Sequence, residues 1–538
     1  MEAFSRMIAA AISGGFISGF LVGARLSERV SHLLFADNTL VFCGANIDQI
    51  RYLKALLICF EAISGMKVNM AKSTLVPIGD MVDVGALADV LSCGMDSLPL
   101  KYLGLPLGAQ FKAKPIWDDI VEKVDCRLAS WKRLYLSKGG RVTLIKSTLS
   151  NLPTYFMSLF PIPAFVAKRI EKLQHDFLWG GLHDEFKYHL VKWDKVYSPI
   201  FEGGLRIRRL KEFNQTLLGK WLWCFAHKRA AWWRIVVNAK YGSEWGGWHT
   251  IDTPGSHGVG LWRYISRGWR LFSNHIRFDH GDGSKIRFWD DVWCGETTLK
   301  MLFLGLYIIA ITKDASIVDN IDTSGGTLQW NVSFSRLVHD WELEVLASFY
   351  TSLYSYRMSR EGEDKIWWVL SSKGKFNVRL FHNVLASKEA SPFPWKSIWR
   401  NKAPSRVAFF TWMAVLGKIL TIDNLRKRNL IVINRCCLCK ADGESIDHLF
   451  LHCEIAYSLW YAIFSGFGMS WVMPSKVAAL AGLFACWWSR GRSRSVVVWK
   501  MVPLCILWCL WSERNARCFE DSERSLEDFT AFFFYTFH

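Results

Sequence analysis

Four side chains in the C-terminal third have the types and spacing of a metal site. Cys436-x2-Cys439 is followed by His448-x4-Cys453. A Cys-x2-Cys pair makes a tight knuckle, and an imidazole and a thiol about one helical turn apart complete a Cys3His tetrahedron. Four protein ligands leave no open position for a substrate, so the chemistry implied is a structural zinc ion. Cys437 and His452 adjoin proposed ligands and are the spare candidates. Zinc contributes an apparent ~10–16 kcal/mol to the folding of zinc-finger peptides at neutral pH, so chelation is expected to unfold this unit.

A second group lies near the N-terminus. Residues 33–42, Leu-Leu-Phe-Ala-Asp-Asn-Thr-Leu-Val-Phe, form two apolar runs around a polar tip, the pattern of a tight β-hairpin with Asp37-Asn38 at its turn. Strands fix such a carboxylate while the turn leaves it open, which is how nucleotidyl-transfer enzymes hold a catalytic metal. Asp-Asn at a tip is also ordinary turn chemistry.

Cations make the third group. From Arg400 to Arg435 there are eight Lys/Arg, among them Arg400, Lys402, Arg406, Arg426, Lys427 and Arg428, against the single acid Asp423. From Lys123 to Lys146 there are seven, including Lys132, Arg133, Lys138 and Arg141, against Asp125. Runs of this kind are either solvated helix faces or phosphate contacts whose affinity falls with salt. Lys138-Gly-Gly-Arg141 has two readings, a phosphate cradle or a plain turn between helices. Several of the 28 Trp adjoin basic residues, as in Trp131-Lys132-Arg133, Lys220-Trp221 and Trp233-Arg234. That arrangement suits base stacking, although large aromatics mostly fill cores.

These groups need a scaffold of several domains. The chain has 538 residues, 51% hydrophobic and 21% charged, and 66 Lys+Arg less 48 Asp+Glu gives a net charge of +18. Disorder as the dominant state is excluded, and the charge favours polyanions, nucleic acid first and an anionic membrane face second. No apolar run reaches the roughly 20 residues of a membrane span. Met7 to Leu21 and Val496 to Trp511 are read as buried helices. The N-terminus lacks a basic leader, so an intracellular protein with mostly reduced thiols is expected.

The expected class is α+β, predominantly helical, in four parts: residues 1–110, 111–375 (Trp-rich and basic), 376–465 around the cysteine cluster, and a helical tail, 466–538. The spacing predicts a helix capped by Asn46 or Asp48, with Ile50, Leu53, Leu57 and Phe60 on one face, ending at Ser64-Gly65. Another runs from Ala164 to Trp179, with Val166, Ile170, Leu173 and Phe177 inward. Ile276-Arg-Phe278 and Ile286-Arg-Phe288 flank a turn-rich stretch and predict a second hairpin. A short strand is expected at Phe376 to Val378, and linkers at 251–260 and 320–327.

Several of these motifs together resemble one family. His32-Leu-Leu-Phe-Ala-Asp-Asn-Thr-Leu-Val-Phe42, Phe60-Glu-Ala-Ile-Ser-Gly-Met-Lys-Val-Asn-Met-Ala-Lys-Ser73 and Tyr102-Leu-Gly-Leu-Pro-Leu-Gly108 resemble the palm of reverse transcriptases from plant non-LTR (LINE-type) retrotransposons. Trp131 to Arg141, Phe177 to Gly181, Gly203 to Ile207 and Phe288 to Trp293 are similar to the region after that palm. His448-Leu-Phe-Leu-His-Cys453 is similar to the zinc-binding domain that closes such polyproteins. The resemblance implies a truncated palm over 1–110, a reverse transcriptase zinc-binding domain over 376–465, and RNA or DNA as partners.

It also implies a catalytic deficit. The family's Phe/Tyr-x-Asp-Asp motif aligns with Phe35-Ala36-Asp37-Asn38, so Asp37 matches the first metal-binding carboxylate and Asn38 replaces the second. Asn is a neutral oxygen donor. The family's upstream catalytic Asp has no counterpart, because the acids before the hairpin are Glu2 and Glu28, in no matching motif. Two ions about 3.5–4 Å apart need several anionic ligands. The expectation is therefore a chain that is polymerase-inactive by itself and still holds nucleic acid, with Mg2+ relevant only if synthesis survives or a partner chain supplies the missing fingers and palm. Lys72-Ser73 resembles the family's Lys on the nucleotide side. The competing class is non-enzymatic: a zinc-stabilised nucleic-acid binder, or a relic without function. No acidic constellation of an RNase H domain is found. Arg426-Lys427-Arg428 is too short for a firm nuclear signal, although a retroelement protein must reach chromosomal DNA.

Overall fold

The computed structural model describes residues 2–22, 28–79, 83–110, 113–132, 134–180, 188–251, 260–322, 329–356, 362–386, 393–466, 468, 472–479 and 499–537, without the side chains of Glu28 and Lys132. Most of the expected linkers, the Lys132 side chain and Arg133 therefore lie outside the described residues. The fold is α+β and predominantly helical, and among the described residues strands occur in two-stranded sheets. No described helix is long and apolar enough to cross a membrane. The chain divides into two compact units. The first comprises 1–116, 156–161 and 215–381, the second 117–155, 162–214 and 382–538, so the middle of the chain is shared between them.

The first unit begins with α1 (Glu2–Ser13), then β1 (Phe20–Val22) antiparallel to β2 (Glu28–Val30), β3 (His32–Phe35) antiparallel to β4 (Asn38–Val41), and α2 (Ile47–Ser64). Met7 to Leu21 is thus a helix followed by a strand rather than one buried helix, since Gly14 and Gly15 end α1 and Gly15 takes a φ of 75°. Helix α2 starts and stops where the sequence says. The Asn46 side chain accepts from the Asp48 N–H, and Gly65 closes the helix at φ 70°, a left-handed conformation that costs glycine little. Its buried face, Ile50, Leu53 and Phe60, packs on Phe4, Ile8 and Ala11 of α1.

Farther along, this unit is built on aromatics. Trp289, Trp293, Trp368, Phe272, Phe288 and Phe349 are fully buried, with Trp289 stacked on Phe349 at 5.5 Å. Trp221 donates to the Ser158 carbonyl at 2.7 Å and meets Trp233 edge-on at 5.3 Å, so these basic-flanked tryptophans are packing groups.

The second hairpin does not form. Ile276–Asp279 pairs antiparallel with Lys365–Trp368, and the arm at 286–288 bonds instead to 315–317. The cause is Asp364, which is 3% exposed. Its carboxylate accepts the N–H groups of Gly281, Gly283 and Lys285 at 2.7, 2.9 and 2.8 Å, folding the intervening residues around itself. The strand expected at Phe376 to Val378 is likewise a helix start. The Asn377 side chain accepts from the N–H groups of Arg379 and Leu380, and Val378–Ala386 is helical.

In the second unit, Asp118–Lys132, Lys138–Leu144, Ala164–Trp179 and Ser405–Val415 enclose a core of Val124, Ile145, Phe177, Trp179 and Trp412. The helix from Ala164 to Trp179 has the expected bounds, with Val166, Ile170 and Phe177 buried. Trp131 packs on Phe177 at 6.0 Å. The other face of Ser405–Val415 gives Phe410 and Ala414 to a further core made with Leu449, Phe450, Trp460, Ile506, Leu510, Phe529 and Phe533. The tail helices Val502–Phe519 and Leu526–Phe537 therefore share one core with the cysteine cluster, across the expected division at 465–466.

Candidate metal centre

Local hydrogen bonding builds the ligand set. The Cys436 N–H donates to the Asp442 carbonyl at 2.7 Å, and the Lys440 N–H returns to the Cys436 carbonyl at 2.9 Å with Lys440 at φ 55°. This closes the knuckle that carries Cys436 and Cys439. His448 opens a wide turn in which the Cys453 N–H reaches the His448 carbonyl at 2.7 Å, five residues back. Cys453 then leads into the helix Glu454–Gly466, and its sulfur receives the first N–H groups, those of Ile455 and Ala456. A helix N-terminus favours a thiolate, the form that binds metal.

The four ligand atoms lie within 4.8 Å of one another. The Cys436 and Cys453 sulfurs are 4.0 Å apart, and the Cys439 sulfur is 3.3 Å from His448 Nε2. A tetrahedron with Zn–S bonds of about 2.3 Å has edges of about 3.8 Å, so the residues fit a zinc ion. Cys436 and Cys453 are buried, Cys439 and His448 half-buried. The Cys436 thiol donates to Cys453, which with burial raises Cys436, while the same bond lowers Cys453 against its own burial. The spare candidates stand aside. Burial, then a hydrogen bond with Cys518, pushes Cys437 up to about 12. His452 Nε2 lies 3.2 Å from the Ser475 carbonyl.

Sequence reasoning missed the ionic frame behind this centre. Glu444, on the loop between knuckle and imidazole, is fully buried and meets Arg514 of the tail helix at 2.9 Å. It also accepts the Ile422 N–H at 3.0 Å. Arg517 donates to the Leu438 carbonyl inside the knuckle at 3.0 Å and to the buried Glu513 at 2.8 Å. Arg524 closes the network on Glu513 at 2.6 Å. The readable signal was the placing of Glu513, Arg514 and Arg517 in a helix that is otherwise largely apolar.

The other expected site residues are dispersed. Phe35 pairs with Asn38, so the hairpin turn is Ala36-Asp37, with Ala36 at φ 52°, and Asn38 begins β4 rather than sharing the tip. Asp37 is exposed. The cradle reading of Lys138 and Arg141 is corrected. Lys138 Nζ donates to the carbonyls of Trp179 and Gly180 at 2.6 and 3.1 Å, and Arg141, 5% exposed, to those of Phe177 and Gly180. Both cations thus serve the carbonyl end of the helix Ala164–Trp179, where the macrodipole favours positive charge.

Arg400, Lys402, Arg406, Arg426 and Lys427 are exposed in the same unit as the cysteine cluster. Arg406 lies over Trp508 at 5.3 Å, Lys427 pairs with Asp423 at 2.9 Å, and the half-buried Arg428 lies over Tyr188 at 5.2 Å. A second group with metal-ligand chemistry, His175, Asp176 and His189, also falls within 4.8 Å. Its histidine rings meet edge-on at 3.9 Å.

Residues 376–460 match the family described as zinc-binding in reverse transcriptase. A protein of Arabidopsis thaliana provisionally named a ribonuclease H protein is 29% identical over 366 residues, 65% of this chain and 56% of that relative. An uncharacterized mitochondrial protein of Arabidopsis thaliana is 28% identical over 149 residues, 27% of this chain and 95% of the relative. The chain thus spans about half the length of the first of these relatives. With the Cys3His cluster lying inside the matched region, this is a reverse-transcriptase-related protein with a zinc-binding domain.

Proposed function

We propose that this chain derives from a plant LINE-type retrotransposon reverse transcriptase, does not polymerise by itself, and holds RNA or DNA through the cationic surface of its zinc-stabilised unit. The observation that carries this reading is the hairpin: Asp37 stands exposed on a two-stranded sheet with the neutral Asn38 beside it. Two-metal phosphoryl transfer needs several carboxylates converging on a pair of ions about 3.5–4 Å apart. No further strand pairs with β3–β4 among the described residues. The exposed cations Arg400, Lys402, Arg406, Arg426 and Lys427 support the binding half of the reading.

Primer extension on an RNA template with Mg2+ tests the first half. The expected result is no product above background, and product that vanishes in Asp37→Ala overturns it. Affinity for labelled RNA and duplex DNA against salt tests the second half. Log affinity should fall linearly with log salt, at about −0.9 per phosphate contacted on duplex. A flat response overturns binding.

A further inference from the structure

A second set of metal-ligand side chains lies in the second unit, far from the cysteines in sequence. His175 and Asp176 are neighbours near the C-terminal end of the helix Ala164–Trp179, and His189 lies on the stretch that precedes Trp193. One donor atom from each falls within 4.8 Å of the other two. The imidazoles meet edge-on with ring centroids 3.9 Å apart, and His175 Nδ1 is 3.9 Å from the Asp176 carboxylate. That second distance is too long for a hydrogen bond.

Both segments are pinned in one core. Phe177, Leu178 and Trp179, which follow Asp176, are buried together with Val191, two residues after His189. The His175 ring is held edge-on against Trp193 at 4.7 Å, and Trp193 packs on the same core. The Asp176 carbonyl accepts the Gly180 N–H at 2.7 Å, which closes the helix just beyond the pair. Anchored backbone thus carries donors that reach the surface, with the His175 and Asp176 side chains 21% and 48% exposed and His189 exposed. Consecutive positions on a helix diverge by roughly 100°, so a third donor from outside the helix is what makes the pair a site.

The donor types select the ion. Two imidazoles and a carboxylate suit Zn2+ and its neighbours in the first transition series, whereas Mg2+ and Ca2+ take oxygen ligands. Donors about 2.1 Å from zinc stand about 3.4 Å apart in a tetrahedron. The set therefore closes on an ion by rotation of the exposed His189 and the half-exposed Asp176 side chains. Three protein ligands leave a fourth position for water, unlike the closed Cys3His set. Asp176 is the one charged ligand, and the half-buried Arg428, on the His189 carbonyl at 3.5 Å, brings a cation close by. Affinity is therefore lower than at the cysteines.

We propose that His175, Asp176 and His189 bind a divalent transition ion of the zinc type, with one coordination position open to water. The assignment is independent of the nucleic-acid reading and of the cysteine cluster.

The test uses the full chain with its cysteine site zinc-loaded. Equilibrium dialysis against a zinc series should show a second, weaker equivalent. Co2+ added to the zinc-loaded chain should give ligand-field absorption without the thiolate-to-metal charge-transfer band that cobalt in the Cys3His set would show. Loss of an outer-shell partner already weakens metal binding about 10–100-fold, so His189→Ala should weaken the second equivalent by about 100-fold or more. Asp176→Asn, which keeps an oxygen and loses the charge, should fall in between. A wild-type chain that takes up no second equivalent overturns the site. So does a second equivalent that His189→Ala and His175→Gln leave unchanged, because the ion then sits on other side chains. Circular dichroism and retained cysteine-site zinc show that a loss is not unfolding, and if His175→Gln misfolds, the result for the exposed His189 decides.

Discussion

The hairpin β3–β4 and the unit around Cys436 each offer metal-ligand chemistry on a tight turn, yet their support differs. At the hairpin the inward residues Leu34 and Val41 touch α1 and α2, whereas Leu33 and Phe35 on the other face are 41% and 60% exposed. Asp37 projects from it into solvent. Around the cysteines the knuckle is tied by its own backbone bonds and by Arg517 of the tail helix, and the loop that leads to His448 by the buried Glu444–Arg514 pair. A metal site needs ligands held by groups that are themselves held, and only the second region has that frame.

The largest expected effect of this contrast lies in metal removal. Chelation, or Cys453→Ser, should abolish cooperative unfolding of the unit spanning 405–537, because binding of structural zinc is worth an apparent ~10–16 kcal/mol in zinc-finger peptides. Tail and knuckle share one core, so protease should then cut the helix Val502–Phe519 as readily as the knuckle. Mass spectrometry of the fragments reads this directly. A protected tail in the metal-free chain would break the comparison.

Next in size is the ionic frame. Arg514→Ala leaves the buried Glu444 without its partner at 2.9 Å. Breaking a buried pair from one side costs about 3–5 kcal/mol, so denaturant midpoints should shift accordingly. Replacing both partners with apolar residues should cost much less, and an equal cost would point instead to the Ile422 N–H bond as the main role of Glu444.

These two predictions also mark what sequence could and could not disclose. The four ligands were legible because they fall within eighteen residues and their spacing is set by local turns. Helix α2 and the helix from Ala164 to Trp179 were legible for the same reason, with Asn46, Gly65 and Gly180 adjacent to the ends they close. What failed was non-local. Asp364 takes amide groups about eighty residues away, which no local pattern around Ile276 announces. Lys138 and Arg141 read as a phosphate cradle or a plain turn because the carbonyls they bind belong to the end of another helix. Arg514 finds Glu444 across seventy residues.

Acid should act on the same frame with a smaller effect. Burial would raise Glu513, but the Arg524 N–H and the Arg517 and Arg524 side chains outweigh it, so its folded pKa lies below the ordinary 4.5. Its contribution is therefore complete above that ordinary value and is lost as pH falls through the lower folded one. Glu513→Gln should flatten the acid limb of the stability curve and lower the plateau at neutral pH. Zinc content must be tracked in the same titration, since ligand protonation acts in the same direction. An acid limb unchanged in Glu513→Gln at constant zinc would assign acid sensitivity to the ligands alone.

The smallest effects belong to the hairpin. Asp37→Ala removes an exposed turn carboxylate and should change stability by less than about 0.5 kcal/mol. Asn38→Asp is the sharper test. It restores an Asp-Asp pair in sequence, but residue 38 opens β4 opposite Phe35 while residue 37 lies in the turn, so the second carboxylate enters a sheet with no third strand among the described residues. Two neighbouring acids without further anionic ligands cannot hold two ions about 3.5–4 Å apart. Primer extension by Asn38→Asp should therefore stay at background. Synthesis that depends on both Asp37 and the new carboxylate would mean that the hairpin lacks only one charge, and the contrast between a framed and an unframed metal site would fall.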